Sequence, residues 1–212
     1  YKSIVLSNQT NTIAGNTATA SGGGLRLDGG AATIRNSIFW SNTDSGGQDE
    51  SAQIDSNVLG SPTVSTTTIQ GLAAFAGAQN SGADPQLRQI AGCDFTAGTV
   101  DDDLRLTPGS PAIDAGDNTQ LPFDTADADA DAKTDERAPL DASGETRLVD
   151  DPAVVDTGIG PAPIVDRGAF EMDDPGLGAV AAGNVRATVG GPEDVLLING
   201  SAGGTQRRVD IL

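Results

Sequence analysis

TNTIAGNTATASGG (residues 10–23) and RNSIFWSNTDSGG (residues 35–47) are two copies of one sequence unit. The copies align at an offset of 25 residues at the first Asn and 26 at the second, and each closes on Ser-Gly-Gly. The aligned pairs are Asn11 with Asn36, Ile13 with Ile38, Asn16 with Asn42 and Thr17 with Thr43. A repeat of this length, with β-branched residues and terminal glycines, is typical of one coil of a parallel β-solenoid, because each coil buries its apolar side only against its neighbours. The repeat therefore predicts an all-β fold, a parallel β-helix.

The asparagines of the repeat are predicted to form a structural ladder. Asn side chains stacked at a coil corner can hydrogen-bond along the solenoid, and Asn tolerates left-handed backbone. A ligand-binding role is the alternative interpretation. The predicted ladder residues are Asn11, Asn16, Asn36 and Asn42.

Composition supports a core of small aliphatic residues. The chain has 212 residues, 28 of them Gly, and only 3% are aromatic, which disfavours a globular core of large side chains. The formal net charge of -18 argues against nucleic acid and anionic membrane surfaces as partners, since the chain would repel both. No apolar run approaches ~20 residues, so no membrane insertion is expected. The first residues lack the features of a signal peptide and begin within a repeat, which predicts a piece of a longer chain.

Composition shifts divide the chain into four predicted parts. Residues 1–100 carry the β-helix coils, and the short apolar or β-branched runs at Ile4–Leu6, Leu25–Leu27, Ile34–Phe39 and Thr66–Ile69 are their predicted strands. Residues 101–172 form a C-terminal cap that includes an acidic loop at 124–147. Residues 173–192 are rich in Gly, Ala and Pro, which predicts a linker. Residues 193–212 have two apolar runs around NGSAGG, which predicts the first hairpin of a further β domain.

The predicted cap has a physical reason, because the last strand layer of a solenoid must be covered. Pro108 and Pro111 cannot donate hydrogen bonds to a further strand. The side chains expected to face inward are Leu104, Leu106, Ala112 and Ile113, with the aspartates facing outward.

SGGGLRLDGGAATIRNSIFWSNTDSGG, TTTIQGL, ADPQL, DLRLTPGSPAIDAGDN and VDRGAFE together carry a family resemblance. The chain resembles, over roughly residues 10–172, the bacterial secreted right-handed parallel β-helix proteins described as pectate-lyase-like, with a C-terminal segment of the choice-of-anchor Q type. The most specific part is Leu104 to Asp117 followed by Ile164 to Glu171. The resemblance implies an extracellular or cell-surface β-helix, right-handed and closed by a cap, attached to further surface or anchoring modules.

The acidic loop is the candidate metal site. Asp127, Asp129 and Asp131 alternate along it, with Asp135 following, and calcium prefers several carboxylate oxygens. The loop departs from the EF-hand pattern, because Ala132 stands where the sharp turn needs Gly and Ala138 where a bidentate Glu is needed. A weak, extracellular-type calcium site and a merely solvated acidic loop both remain open.

Two functions are weighed. The first is a structural or adhesive segment of a large secreted or cell-surface bacterial protein, a rigid β-helical spacer whose partners are other copies or modules of that protein. The second is a carbohydrate-active β-helix that acts on a polysaccharide, with Arg26 or Arg35 as a lyase base or Trp40 as a sugar platform. Each of these three residues also has a plain structural interpretation. The chain has no His, which excludes His-based catalysis within it, and no catalytic residue is assigned.

Overall fold

The computed structural model describes residues 10–57, 60–172, 195–197 and 208–210. It divides the chain into two compact units, Tyr1–Asp173 and Asp174–Leu212. The elements of the first unit, in chain order, are β1 Thr12–Ala14, β2 Leu25–Leu27, β3 Gly30–Arg35, β4 Ile38–Trp40, α1 Glu50–Gln53, β5 Ile54–Ser56, β6 Gly60–Ser65, β7 Thr68–Ile69, β8 Leu87–Gln89, β9 Asp103–Leu106 and a 3₁₀ turn at Asn118–Gln120.

Parallel pairing dominates the first seven strands. β4 lies between β1 and β7 in a three-stranded parallel sheet, and β2 pairs with β5 and β3 with β6, also in parallel. Each pair joins residues 26 to 30 positions apart, for example Thr12 with Ile38 and Ile38 with Thr68. The later pair, β8 with β9, is antiparallel.

The prediction of a right-handed parallel β-helix is wrong. The strands form small separate sheets of two or three members, and no closed solenoid is found in the part of the chain that the structure describes. The strands of the first unit are only two to six residues long, and turns and bends separate them, so pairing does not continue around a coil. Beyond residue 106 the first unit has no strand and one 3₁₀ turn within its described residues. The fold is mostly short strands.

The pairing of β1 with β4 shows that the sequence alignment of the two repeat copies is wrong by one residue at Ile13 and Ile38. Ile13 pairs with Phe39, whereas Ile38 pairs with Thr12, so the offset is 26 rather than 25. A slip of one residue moves a side chain to the opposite face of a strand. Phe39 accordingly lies in one apolar core with Ile13 packed against it, while Ile38 belongs to another.

The described residues of the first unit form two apolar cores. The first lies between the parallel pairs, and its buried members are Leu25, Ile34, Phe39, Ile54, Val64 and Ile69. The second joins β4 to the end of the chain's first unit, and its buried members are Ile38, Leu106, Ala112, Ile113 and Met172. We call residues 101–172 the closing segment, because its apolar residues cover this second core.

The expected inward residues of the closing segment are mostly buried, but the expected outward aspartates are not all outward. Leu106, Ala112 and Ile113 are buried and Leu104 is half-buried. Asp114 and Asp117 are also buried, contrary to the prediction. Their positions lead to the candidate site.

The second unit has one described element, an antiparallel pair of β10 (Val195–Leu197) and β11 (Arg208–Asp210). The pair falls within residues 193–212, where a hairpin is predicted, and the residues joining its strands lie outside the described ones. The predicted linker at 173–192 and a predicted strand at residues 4–6 also lie outside them. Among described residues, no helix has the length and apolar character needed to cross a membrane.

Candidate functional site

The two halves of the closing segment meet through their backbones. The N–H of Arg167 donates to the carbonyl of Ala112 at 2.9 Å, and the N–H of Gly116 donates to the carbonyl of Val165 at 2.8 Å. Between these bonds, the N–H of Asp114 donates to the carboxylate Oδ1 of Asp166 at 2.8 Å. The sequence stretches 104–117 and 164–171 thus form one paired structure, although some fifty residues separate them.

Asn36 ties this structure to the first strands. Its Oδ1 accepts from the N–H of Asp117 at 2.8 Å, and its Nδ2 donates to the Asp117 carbonyl at 2.9 Å. The N–H of Gly168 donates to the carbonyl of Asn36 at 2.8 Å. Asn36 has a left-handed φ of 47° and no exposed surface, so its side chain is committed to these contacts.

Gly168 allows the closest approach of the two regions. A Cβ on this residue would lie 2.8 Å from Thr12 Oγ1 and 2.9 Å from Ile38 Cδ1, and its φ of 107° is left-handed. The next residue, Ala169, donates its N–H to Thr12 Oγ1 at 3.0 Å. Because no other residue fits this space and conformation without displacement, Gly168 is required here for steric reasons.

Arg167 is buried without a carboxylate partner among the described ion pairs. Its guanidinium donates to the carbonyls of Ala115 and Gln79, each at 2.9 Å, and Nη1 lies 3.5 Å from Thr68 Oγ1. Burial lowers its pKa to about 10, so it remains charged at neutral pH. The residue therefore joins the closing segment to the region around β7.

Asp166, Glu171 and Arg147 form a buried charge cluster behind this pairing. Asp166 Oδ2 accepts from the N–H of Met172 at 2.6 Å, and Glu171 Oε1 accepts from the N–H of Asp166 at 3.2 Å. Burial, with a smaller contribution from Asp114, raises the pKa of Asp166 to about 7. Burial and the charge of Asp166 raise the pKa of Glu171 well above its usual range. These side chains are almost fully enclosed, so a substrate cannot reach them.

Arg147 supplies the positive charge of this cluster. Its Nε donates to the carbonyl of Leu140 at 3.1 Å, and Nη2 donates to the carbonyl of Ala169 at 3.0 Å. Nη1 of Arg147 and Oε2 of Glu171 are both buried without a hydrogen-bond partner. Burial lowers the pKa of Arg147, and the nearby carboxylates oppose that change.

Asp114, Asp150 and Asp156 form a second acidic group, which we call the three-aspartate site. Each offers a carboxylate oxygen, and the three oxygens lie within 4.8 Å of one another. Asp114 has no exposed surface and neither of its carboxylate oxygens has a hydrogen-bond partner, whereas Asp150 and Asp156 are exposed. Burial raises the pKa of Asp114 to about 6, and the charges of Asp156, Asp150 and Asp151 add to the rise. The nearby backbone N–H of Asp151 opposes the rise, although it does not meet the geometry of a hydrogen bond to either carboxylate oxygen.

The backbone holds the three-aspartate site in place. The N–H groups of Thr157 and Gly158 donate to the carbonyl of Asp114 at 2.9 and 3.0 Å. Gly158 also packs so tightly on Gly116 that a Cβ would overlap its carbonyl oxygen. Asp156 is thereby kept next to Asp114 by bonds that do not involve either carboxylate.

The predicted calcium residues are only partly brought together. Asp127, Asp129 and Asp131 place carboxylate oxygens within 4.8 Å of one another. A second acidic group of the loop consists of Asp124, Asp129 and Glu136, and Asp135 belongs to neither group. Asp131 already forms an ion pair with Lys133, and Asp127 Oδ1 accepts from the N–H of Ala132 at 3.1 Å. Calcium binding at this loop stays a prediction.

The predicted asparagine ladder residues have different neighbours. Asn42 Oδ1 accepts from both the N–H and Nδ2 of Asn16, at 3.0 and 2.9 Å, so these two side chains are stacked. Asn11 donates its N–H to Ser37 Oγ at 3.2 Å, and the side chain of Asn36 bonds to the closing segment rather than to Asn11.

An open groove of about 660 Å³ runs between β1 and the closing segment. Among the described residues that line it, Asp102 is the only carboxylate and there is no Arg or Lys. Oδ2 of Asp102 accepts from the N–H groups of Gly98 and Thr99 at 2.5 and 3.1 Å, so that oxygen caps a turn. The other candidates of a carbohydrate-active site lie elsewhere: Arg26 pairs with Asp55 at 2.7 Å, and Trp40 packs against the second core.

Several residues of these sites are not identified by sequence reasoning. Asp114 and Asp166 stand in the stretches that carry the resemblance, which is the only signal for them. Asp150 and Asp156 show no spacing that distinguishes them from other surface aspartates, and Arg167 has no pattern that predicts burial.

Comparisons with protein-family models, curated proteins and solved structures gave no match to this chain. The resemblance to pectate-lyase-like and choice-of-anchor Q proteins therefore stays a prediction.

Proposed function

We propose that this chain is a structural segment of a secreted or cell-surface bacterial protein, in which the closing segment locks the first strands into one mechanical unit. One observation carries the proposal: buried and half-buried polar groups form hydrogen bonds between parts of the chain that are far apart in sequence. Asn36 bonds to a residue 81 positions away, Arg167 to one 88 positions away, and Thr12 to one 157 positions away.

Because these bonds join residues that are far apart in sequence, they bear tension when the chain is pulled. Thr12 is in the first strand, and its partner Ala169 is near the end of the closing segment. Tension applied through the chain on either side of residues 12–169 acts directly on the contact between them. A unit closed in this way resists extension until that contact breaks, as a connecting segment in a surface protein must.

The groove favours this function over a carbohydrate-active one. A glycosidase needs two carboxylates about 5–9.5 Å apart across the substrate. The described lining of the groove offers one, Asp102, whose Oδ2 accepts from backbone N–H groups and whose Oδ1 is buried. The buried Asp166 and Glu171 are out of reach of a polymer.

Single-molecule pulling on the full chain tests the mechanical role. We expect residues 10–172 to open in one event, with a gain in contour length of up to roughly 540–590 Å at about 3.3–3.6 Å per residue. Thr12→Val keeps the shape of the side chain but removes the acceptor for Ala169, so we expect a lower rupture force and the same length gain. Opening in several small steps, or an unchanged force in the variant, would contradict the proposal.

An activity assay tests the competing function. The chain is incubated with neutral and acidic polysaccharides, and reducing ends and unsaturated products are measured. We expect no turnover. Turnover that disappears in Asp102→Asn would establish a catalytic groove and overturn the structural assignment.

A further inference from the structure

We infer that Asp114, Asp150 and Asp156 bind a divalent cation, with calcium as the best fit. This site is distinct from the acidic loop and does not depend on the proposed mechanical role. The two proposals are tested separately: calcium binding says nothing about the mechanical role, and polysaccharide turnover would overturn the mechanical role without affecting the cation site.

The spacing of the carboxylates fits one calcium ion. Calcium binds oxygen ligands at about 2.3–2.6 Å, so two oxygens of one coordination shell are at most roughly 4.6–5.2 Å apart. The three carboxylate oxygens lie within 4.8 Å of one another, a spacing compatible with one such shell.

Asp114 supplies the independent evidence for a ligand. Buried polar groups in folded proteins nearly always have a partner, and Asp114 is fully buried with neither carboxylate oxygen satisfied. Its unpaired group belongs to the same cluster as the two exposed carboxylates. A water molecule would satisfy the hydrogen bonds but would leave three negative charges together, whereas a divalent cation satisfies the oxygens and offsets the charge.

Within the part of the chain that the structure describes, no basic side chain pairs with these three aspartates. None of the ion pairs formed by the described residues involves Asp114, Asp150 or Asp156. In the acidic loop, by contrast, Lys133 already neutralises Asp131. The exposed side chains of Asp150 and Asp156 give an ion a path from solvent and leave room for water ligands, which calcium accepts.

The experiment uses the full chain and calcium chloride in a calorimetric titration at physiological ionic strength. With three carboxylates and a half-open site, we expect a Kd of roughly 0.1–1 mM, the range of extracellular modules. The double variant Asp150→Asn/Asp156→Asn removes two exposed ligands without touching the buried Asp114, and we expect at least a tenfold loss of affinity or the loss of one bound calcium.

Asp127→Asn/Asp129→Asn is the matched control, because it removes the same charge from the acidic loop. We expect it to keep the calcium that the first variant loses. Circular dichroism in chelator checks that both variants are folded. The inference is overturned if the wild type binds no calcium up to about 10 mM, or if the Asp150/Asp156 variant binds as the wild type does.

Discussion

Asn36 offers the sharpest test of how the closing segment is held. Its side chain pairs with both backbone groups of Asp117, and both residues are buried. Asn36→Gly removes the amide but keeps the left-handed φ of 47° accessible, whereas Asn36→Ala removes the amide and also opposes that conformation. The two variants therefore separate the hydrogen bonds from the backbone conformation.

The expected cost follows from these contacts. Asn36→Gly leaves the buried N–H of Asp117 without a partner, which costs about 1–3 kcal/mol. It also removes the hydrogen bond from Asn36 Nδ2 to the Asp117 carbonyl, which contributes about 0.5–1.5 kcal/mol, while that carbonyl keeps the N–H of Gln120 at 3.0 Å. Asp117 retains 7% exposure, which allows partial hydration, so we expect the free energy of unfolding to fall by about 2–4 kcal/mol. Asn36→Ala is expected to cost about 1 kcal/mol more, because a side chain disfavours left-handed backbone.

Urea unfolding with linear extrapolation measures these losses, provided that the slope is unchanged between variants. Asn57→Gly is the control, because the Asn57 Nδ2 donates to the Asp28 carbonyl at 2.9 Å through an exposed bond, which contributes about 1 kcal/mol or less. If Asn36→Gly loses no more stability than Asn57→Gly, the tie between Asn36 and Asp117 does not hold the closing segment, and the argument fails.

Two further predictions concern carboxylates outside the three-aspartate site. Glu50 accepts the N–H groups of Ala73, Ala74 and Phe75 at 2.6 to 3.2 Å, so Glu50→Gln should lower the free energy of unfolding by about 1–2 kcal/mol in urea titrations, and a loss no larger than that of the exposed Asp28→Asn would refute it. Burial raises the pKa of Glu171, so its folded form holds a proton more tightly than the unfolded chain, and its contribution to stability is lost as pH rises from about 4.3 through the raised pKa. Glu171→Gln should therefore gain melting temperature over the wild type between pH 5 and pH 8, and a difference independent of pH would contradict this.

The strand pattern of the sequence is informative because it is local. Leu25–Leu27 is a strand as expected, and the spacing of the repeat predicts parallel partners about 26 residues apart. The expected continuous run from Ile34 to Phe39 is broken into β3 and β4, because the backbone at Asn36 turns left-handed to meet Asp117. A partner 81 residues away cannot be seen in a local pattern.

Closed coils and buried charges depend on information that hydrophobic patterning lacks. Alternating apolar residues indicate that strands exist but not whether the turns between them complete a coil, so a solenoid was predicted where separate small sheets are found. Aspartate is rarely buried unless it has a partner, so an outward prediction for Asp114 follows from residue type alone. Its surroundings come from residues 150–166, which adopt their positions only in the folded chain.

The bond between Thr12 and Ala169 also has a consequence for the order of folding. Residues that contact each other across 157 positions raise the contact order, and loop closure must precede any gain from such contacts. As the chain is synthesised from its N-terminus, β1 and Asn36 emerge long before their partners in the closing segment. Until residues 164–172 are present, the second core around Ile38 remains uncovered, which makes the incomplete chain prone to association. A chaperone that shields this apolar surface during synthesis would act at the stage when the protein is most vulnerable.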